Sequence, residues 1–255
     1  MKLSVITVCR NAARSIEHAV RSVSAQTYED IEYIIIDGGS TDETLELLKP
    51  WRGDIDVLVS EPDAGIYDAM NKGIRKSQGD AIYFLNADDY FYSSRAVELM
   101  ADFMRGHPEA DVVYGGIEVR MEDVAPHLFM PPPAEEALEF LVSGSLPHQA
   151  TFARRRAFAR TGLFDTRYRS HADYEWFLKV AMDPEIRVMN APVVIASFLL
   201  GGASSQLERG ERERHAIQNS APLYQSDFWL KRRIEIYQEV YLNLRLEIER
   251  LRKAT

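Results

Sequence analysis

The stretch Ala81-Ile82-Tyr83-Phe84-Leu85 runs directly into Asn86-Ala87-Asp88-Asp89. An apolar run that stops on carboxylates is the pattern of a buried strand whose C-terminal end opens into a site. Ligands of open α/β sheets bind at those carboxyl ends. Two adjacent carboxylates in one cleft repel each other unless a cation sits between them, and a hard divalent ion carrying a diphosphate meets that need. The same residues also fit a strand end followed by acidic caps for a helix over residues 94–104. Taken alone, these four residues leave both readings open.

Upstream and downstream, the first 116 residues alternate strand and helix signals. Residues 3–8 read as a buried strand, 13–26 as a helix with Ile16, Val20 and Val23 on one face, and 31–36 as a second strand ending on Asp37. A helix over 41–51 starts at the cap-like Ser40-Thr41-Asp42-Glu43. A short strand over 56–60, a helix over 66–77 closed by Gly79, the strand over 81–85 and a strand over 112–114 follow. Repeated βα units with continuous apolar strands predict a mostly parallel sheet covered by helices on both faces. Between 118 and 145 the pattern is broken by Pro131-Pro132-Pro133, with a short helix over 135–142. This stretch reads either as a loop-rich region over the cleft or as a plain surface connection. Beyond His148 a strand over 150–153, helices over 155–161 and 173–182, and two strands over 187–190 and 193–199 are expected.

The chain has 255 residues, 46% of them hydrophobic, which suffices for one large α/β core with an appendage. A net charge of −9 argues against nucleic acid as a partner. The single cysteine, Cys9, excludes an internal disulfide and fits a reducing cytosol, and with no histidine near it in sequence it reads as a small buried residue. No apolar segment reaches membrane-spanning length. The expectation is a cytoplasmic protein that would meet any lipid-linked partner at the inner face of the cell membrane.

Several polar clusters fall at element ends. Asp37 is followed by Gly38-Gly39-Ser40, where glycines allow close approach of a ligand. Ser40 or Thr41 can cap the next helix, which leaves the Asp37 carboxylate available to a base or ribose. Glu61-Pro62-Asp63-Ala64-Gly65-Ile66-Tyr67-Asp68-Ala69-Met70-Asn71-Lys72-Gly73 packs acids, a lysine and glycines around a helix start. There Asp63 reads first as a helix cap, and Lys72 as either a phosphate contact or a solvated surface residue. His148 precedes a strand, and Asp173 opens a helix whose face includes Trp176, Phe177 and Val180. Gly201-Gly202-Ala203-Ser204-Ser205 is a flexible turn with hydroxyls.

In order and spacing, these segments resemble a family 2 inverting glycosyltransferase of the GT-A fold, of the type that builds bacterial cell-surface polysaccharide and glycolipid. The matching residues are Ser4-Val5-Ile6-Thr7-Val8 with Asn11, Ile36 through Asp42, Glu61 through Gly73, Leu85 through Asp89, His148-Gln149, Ala172-Asp173-Tyr174 and Gly201-Gly202. They run through about the first 205 residues, so the tail lies outside the resemblance. The resemblance implies a nucleotide-sugar-binding half over 1–116, an acceptor and catalytic-base half over 117–205 of the same domain, and a helical tail over 206–255. It implies that Thr7 and Asn11 line the nucleotide pocket, that Asp37 binds base or ribose with Asp63 beside it, and that Lys72 and Asn86 belong to the donor site. Asp88 would hold a divalent metal, Mn2+ or Mg2+, that bridges the diphosphate, with Asp89 next to the donor sugar. Asp173 would be the general base that deprotonates the acceptor hydroxyl, and His148 would lie near the acceptor or diphosphate. The implied donor is a nucleotide-diphosphate sugar, with UDP the first candidate, and the implied acceptor a saccharide or polyprenyl-linked saccharide.

The chain departs from the family pattern in three places. Asn86 stands where the Asp-x-Asp motif has its first aspartate, Met70 stands where an arginine is usual, and His171-Ala172 replaces a Glu-Asp pair before Asp173. Two other readings remain. A sugar-nucleotide nucleotidyltransferase would carry a glycine-rich loop after the first strand, and Thr7-Val8-Cys9-Arg10-Asn11-Ala12 has no glycine. A degenerate scaffold subunit would work through its tail. There Leu230, Ile234, Tyr237, Tyr241, Leu244, Ile248 and Leu251 form an a/d stripe beside several basic residues. The stripe fits a homodimer, packing on the protein's own body, or peripheral membrane contact.

Overall fold

In the computed structural model, which describes residues 1–201 and 207–254, β1 (Leu3–Cys9) is the central strand of the first half, with all seven residues buried. After α1 (Ile16–Ser24), β2 (Ile31–Asp37) pairs parallel to β1, Leu3 opposite Ile31 and Cys9 opposite Asp37. The short α2 (Thr44–Leu48) leads to β3 (Val57–Ser60), parallel to β2 at the sheet edge. Beyond α3 (Ile66–Lys76), β4 (Ala81–Phe84) returns to the other side of β1, placing Leu3 opposite Ala81 and Ile6 opposite Phe84. The alternation of the strands splits their side chains between two cores. Ile6, Ile34 and Phe84 face α3 and the later helices, and Val5, Ile35 and Tyr83 face α1.

The second half is less regular than expected. A two-residue β5 (Tyr90–Phe91) and α4 (Ala96–Gly106) precede β6 (Val112–Met121), which turns at Asp123 into β7 (Val124–Phe129). The loop-rich region expected over 118–145 thus begins as a β-hairpin; α5 (Ala137–Ser143) follows it, close to the short helix expected there. Next, β8 (Thr151–Arg154) inserts antiparallel between β4 and β6, then come α6 (Arg155–Thr161) and α7 (Ala172–Met182). The two strands expected over 187–199 are one, β9 (Val188–Leu199), which parallels β6 across a bulge. Pairing passes from Tyr114–Asn190 to Gly116–Val194, and Pro192, which cannot donate to a ladder, stands in the bulge. The sheet runs in the order β3-β2-β1-β4-β8-β6-β9-β5, with β7 outside β6. It is a GT-A-type mixed α/β sheet followed by C-terminal helices.

The tail forms α8 (Leu207–Ser220) and α9 (Asp227–Ala254). Buried Gln218 donates to the Leu141 and Val142 carbonyls and accepts from Tyr237 Oη. Trp229 and Ile236 are buried against the body, and Arg232 forks onto Glu139. The face of α9 on the body is therefore centred on Trp229, Ile236 and Tyr237, and of the a/d stripe only Tyr237 shares in it. From Val240 onward the helix leaves the body, with Tyr241, Leu244 and Leu251 about 60% exposed.

Candidate active site

A cavity of about 460 Å³ opens at the carboxyl ends of β1 and β4. Cys9, Arg10, Asn11 and Ser15 form one wall, Asp63, Gly65, Ile66 and Ala69 at the start of α3 another, and Asn86, Ala87 and Asp88 a third, with Phe198 and Leu199 at the end of β9. Of the residues expected in the donor site, Asn11, Asp63, Asn86 and Asp88 meet here. Asn11 holds the left-handed backbone (φ 51°) that turns the chain out of β1, and the Asn11 loop is latched by Thr41 N–H onto Asn11 Oδ1 and by Asn11 N–H onto Ser40 Oγ, both at 2.8 Å. Asp63 accepts from Gly65 N–H at 2.9 Å and lies against Gly38, where any side chain would collide with its carboxylate.

Thr7, Asp37 and Lys72 are placed elsewhere. Thr7 is fully buried in the sheet, bonded to Tyr33 Oη at 3.1 Å. Asp37 is fully buried too. Its carboxylate accepts from the Gly39 and Ser40 N–H groups and from the Ser40 and Ser60 hydroxyls, with the Cys9 thiol alongside. A carboxylate has about four lone-pair sites, so little capacity is left for a base or ribose. Ser40, expected to free Asp37 by capping the helix, is instead one of its donors, and Asp42 accepts from Thr44 N–H at the start of α2. Burial alone would raise the Asp37 pKa, but the two hydroxyls and the backbone donors outweigh it and hold the group below the usual range. Burial and the Asp37 charge push the Cys9 thiol up, as suits a packing residue. Lys72 clips the loop before α3, bonding the Pro62 carbonyl at 2.9 Å and pairing with Glu61 and Asp68.

Asp88 and Asp89, adjacent in sequence, have opposite surroundings. Asp88 lines the cavity, and Arg120, stacked on Tyr90 at 4.4 Å, holds its carbonyl at 3.0 Å. Asp89 is 1% exposed and accepts from Leu199 N–H and Asn86 Nδ2, each at 3.1 Å. Burial first, and the Asp88 charge second, push its pKa up to about 7. Asp89 therefore ties the end of β9 to the β4 loop from beneath the cavity, where a place beside the donor sugar was expected. Asn86 Oδ1 is buried without a hydrogen-bond partner. No group of three His, Cys, Asp or Glu side chains able to hold a metal exists among the described residues. Of the β4-end residues lining the cavity, Asp88 and Asn86 carry side-chain oxygens, that of Asn86 being buried. That hard, sparse set suits Mg2+ or Mn2+, which would take its remaining ligands from phosphate and water.

Asp173 opens α7 and is 16% exposed at its side chain. Tyr67 Oη, from the first turn of α3, donates to Oδ1 at 2.6 Å, and His148 Nδ1 lies 3.1 Å from Oδ2. On its other side, His148 Nε2 lies 3.1 Å from Asn86 Nδ2. Burial would raise the Asp173 pKa, but His148 and Tyr67 outweigh it and bring it to about 2. The histidine is raised in turn, because the bond and charge of Asp173 outweigh its own burial. Two donors leave the carboxylate room for a third. Tyr67 lies within the segment Glu61 through Gly73, whose sequence assigns it no role. The available signal was a tyrosine at the start of a helix that follows a strand end. The hydroxyl turn of the sequence lies, from Gly202 onward, outside the described residues.

A mixed sheet of this order, with acidic residues in the cavity at the ends of β1 and β4 and a further carboxylate at the start of a later helix, has the GT-A architecture. The chain belongs to glycosyl transferase family 2, whose family model matches residues 4–162. It is 32% identical over 208 residues to the PGL/p-HBAD biosynthesis glycosyltransferase of Mycobacterium bovis, covering 80% of this chain and 79% of that one. Among solved structures, S. aureus TarS superposes with a TM-score of 0.69 at 19% identity, covering 94% of this chain but only 42% of TarS. The mannosyltransferase PcManGT from Pyrobaculum calidifontis, crystallised with GDP-Man and Mn2+, gives 0.60 at 18% identity over 84% of this chain and 61% of that one. These distant structures establish the fold. Family membership and the mycobacterial relative establish a glycosyltransferase.

Proposed function

We propose that the protein transfers a sugar, with inversion, from a nucleoside-diphosphate donor to a saccharide or lipid-linked saccharide hydroxyl. The observation that carries this reading is Asp173, an ionised, partly accessible carboxylate oriented by two side chains and linked through His148 and Asn86 to the donor-side corner. Inversion needs one base facing the acceptor and no protein nucleophile. A carboxylate of low pKa serves because the attacking hydroxyl becomes strongly acidic only as its bond to the sugar forms. Asp88 and Asn86 Oδ1 would hold the divalent metal, which supplies Lewis-acid neutralisation of the departing diphosphate. Asp63 and Asn11 line the part of the cavity we assign to the nucleotide. A form of TarS bound to UDP-GlcNAc and PcManGT bound to GDP-Man and Mn2+ support a sugar-nucleotide donor and a metal. The mycobacterial name supports a glycolipid acceptor. No described helix is long and apolar enough to cross a membrane, so such an acceptor would be met at a membrane surface.

The test is thermal stabilisation by UDP, GDP, dTDP and CMP, each with and without Mn2+. Metal-dependent stabilisation by one diphosphate is expected, with UDP the first candidate; no shift with any nucleotide would overturn the donor assignment. We assign the exposed end of α9 to self-association, because a second copy presents the same apolar stripe. Leu244→Asp should lower the solution mass, and an unchanged mass would remove that role.

A further inference from the structure

We propose that Asn86 is a positioning residue that sets the His148 tautomer, and through it the orientation of Asp173, from the donor side of the site. The inference rests on the reading of Asp173 as base. Asn86 Nδ2 lies 3.1 Å from Asp89 Oδ2 and 3.1 Å from His148 Nε2. An amide nitrogen only donates, so in the neutral ring His148 Nε2 must accept and the single ring proton must sit on Nδ1. That proton points at Asp173 Oδ2, 3.1 Å away, while Tyr67 Oη holds Oδ1. The proton positions between Asp89 and Tyr67 are therefore set: Asn86 donates to both Asp89 and His148, His148 and Tyr67 both donate to Asp173, and Asn86 is the member that determines the ring tautomer.

The amide orientation is itself fixed. Turned over, Oδ1 would face the Asp89 carboxylate oxygen to which Nδ2 now donates. As it stands, Oδ1 is the orphan: buried, without a partner, on a residue that lines the donor cavity beside Asp88. A cation held at Asp88 that reached Oδ1 would polarise the amide and make its Nδ2 protons stronger donors to Asp89 and His148. Filling the donor side thereby stiffens the support of Asp173 without any backbone movement. An aspartate at 86 could still ligate a cation but has no proton to give. It would oppose Asp89 and favour Nε2–H on His148, turning a bare Nδ1 toward Asp173.

The closing experiment is NMR of the full chain with ¹⁵N-labelled histidine rings, His148 being assigned by its loss in His148→Gln. The protein without metal should show His148 as the Nδ1–H tautomer, and MgCl2 alone should shift its Nε2 resonance. Asn86→Asp should convert His148 to Nε2–H. Its kcat should fall about 10- to 100-fold, the usual cost of a lost outer-shell partner, with KM for the donor and Mg2+ affinity maintained. A plain metal ligand would instead tolerate aspartate, and a merely structural residue would change stability and leave the tautomer alone. An Nε2–H tautomer in the unsubstituted protein overturns the proposal without any variant having to fold. So does an Asn86→Asp enzyme of normal kcat with unchanged ring signals. Because the ring spectrum is read without donor or turnover, its failure is distinct from failure of the base assignment, which would show as normal transfer by a Asp173→Asn enzyme.

Discussion

Asp37 at the end of β2 and Asp173 at the start of α7 are both held below the usual carboxylate range, and they do different things. The donors to Asp37 come from Gly39, Ser40 and Ser60, all on its own turn or the adjacent strand end, and they leave little of it open. Asp173 receives one donor from Tyr67, 106 residues away, and another from His148, and keeps part of its surface accessible. A carboxylate saturated by backbone and hydroxyl donors is a rivet. One held by two side chains, with capacity left over, is a site. Pattern in the sequence makes the two look alike; the count and origin of their donors separates them.

Three measurements would break or sharpen this contrast. The largest effect should come from Asp173→Asn, which removes the proposed base and keeps the shape. Transfer should fall by roughly 10²–10⁴-fold, the usual worth of general base catalysis, while nucleotide binding stays as it was. Normal turnover would abolish the distinction. Next, Asp37→Ala strands several buried donors and should destabilise the fold by about 1–3 kcal/mol, with turnover per folded molecule preserved. A selective loss of donor affinity at unchanged stability would return Asp37 to the binding site. The smallest effect is on acid stability. Because the folded-state pKa of Asp173 is about 2, its contribution is fully present above the unfolded value near 4 and is lost as pH falls from there toward 2. Denaturation of Asp173→Asn should therefore depend less on pH across that window than denaturation of the parent chain, and equal slopes would show that Asp173 is not the ionised, paired group described.

Much of the fold was legible because burial leaves a local record. Leu3–Cys9, Ile31–Asp37 and Ala81–Phe84 are apolar runs bounded by polar turns, and each forms a strand within two residues of its expected ends. The antiparallel insertion of Thr151–Arg154 was not legible, since a four-residue strand carries no sign of which neighbour it pairs with or in which direction. Likewise the gap in apolar pattern near Pro192 read as a strand break, where the sheet absorbs it as a bulge. In the tail the heptad spacing was plain, but the face that docks is decided by Gln218 and α5, and it lies mostly off that stripe.

The sequence by itself determined the strand–helix order of the first half and the acidic ends of its strands, because apolar periodicity and turn chemistry act over a few residues. Which of those acids face the cavity was decided only in the tertiary structure. Asp88 and Asp89 are neighbours, yet one lines the pocket and the other lies beneath it. The bonds joining Asn86, His148, Tyr67 and Asp173 span four separate segments, and no short-range pattern can encode a contact whose partners meet only when the sheet closes.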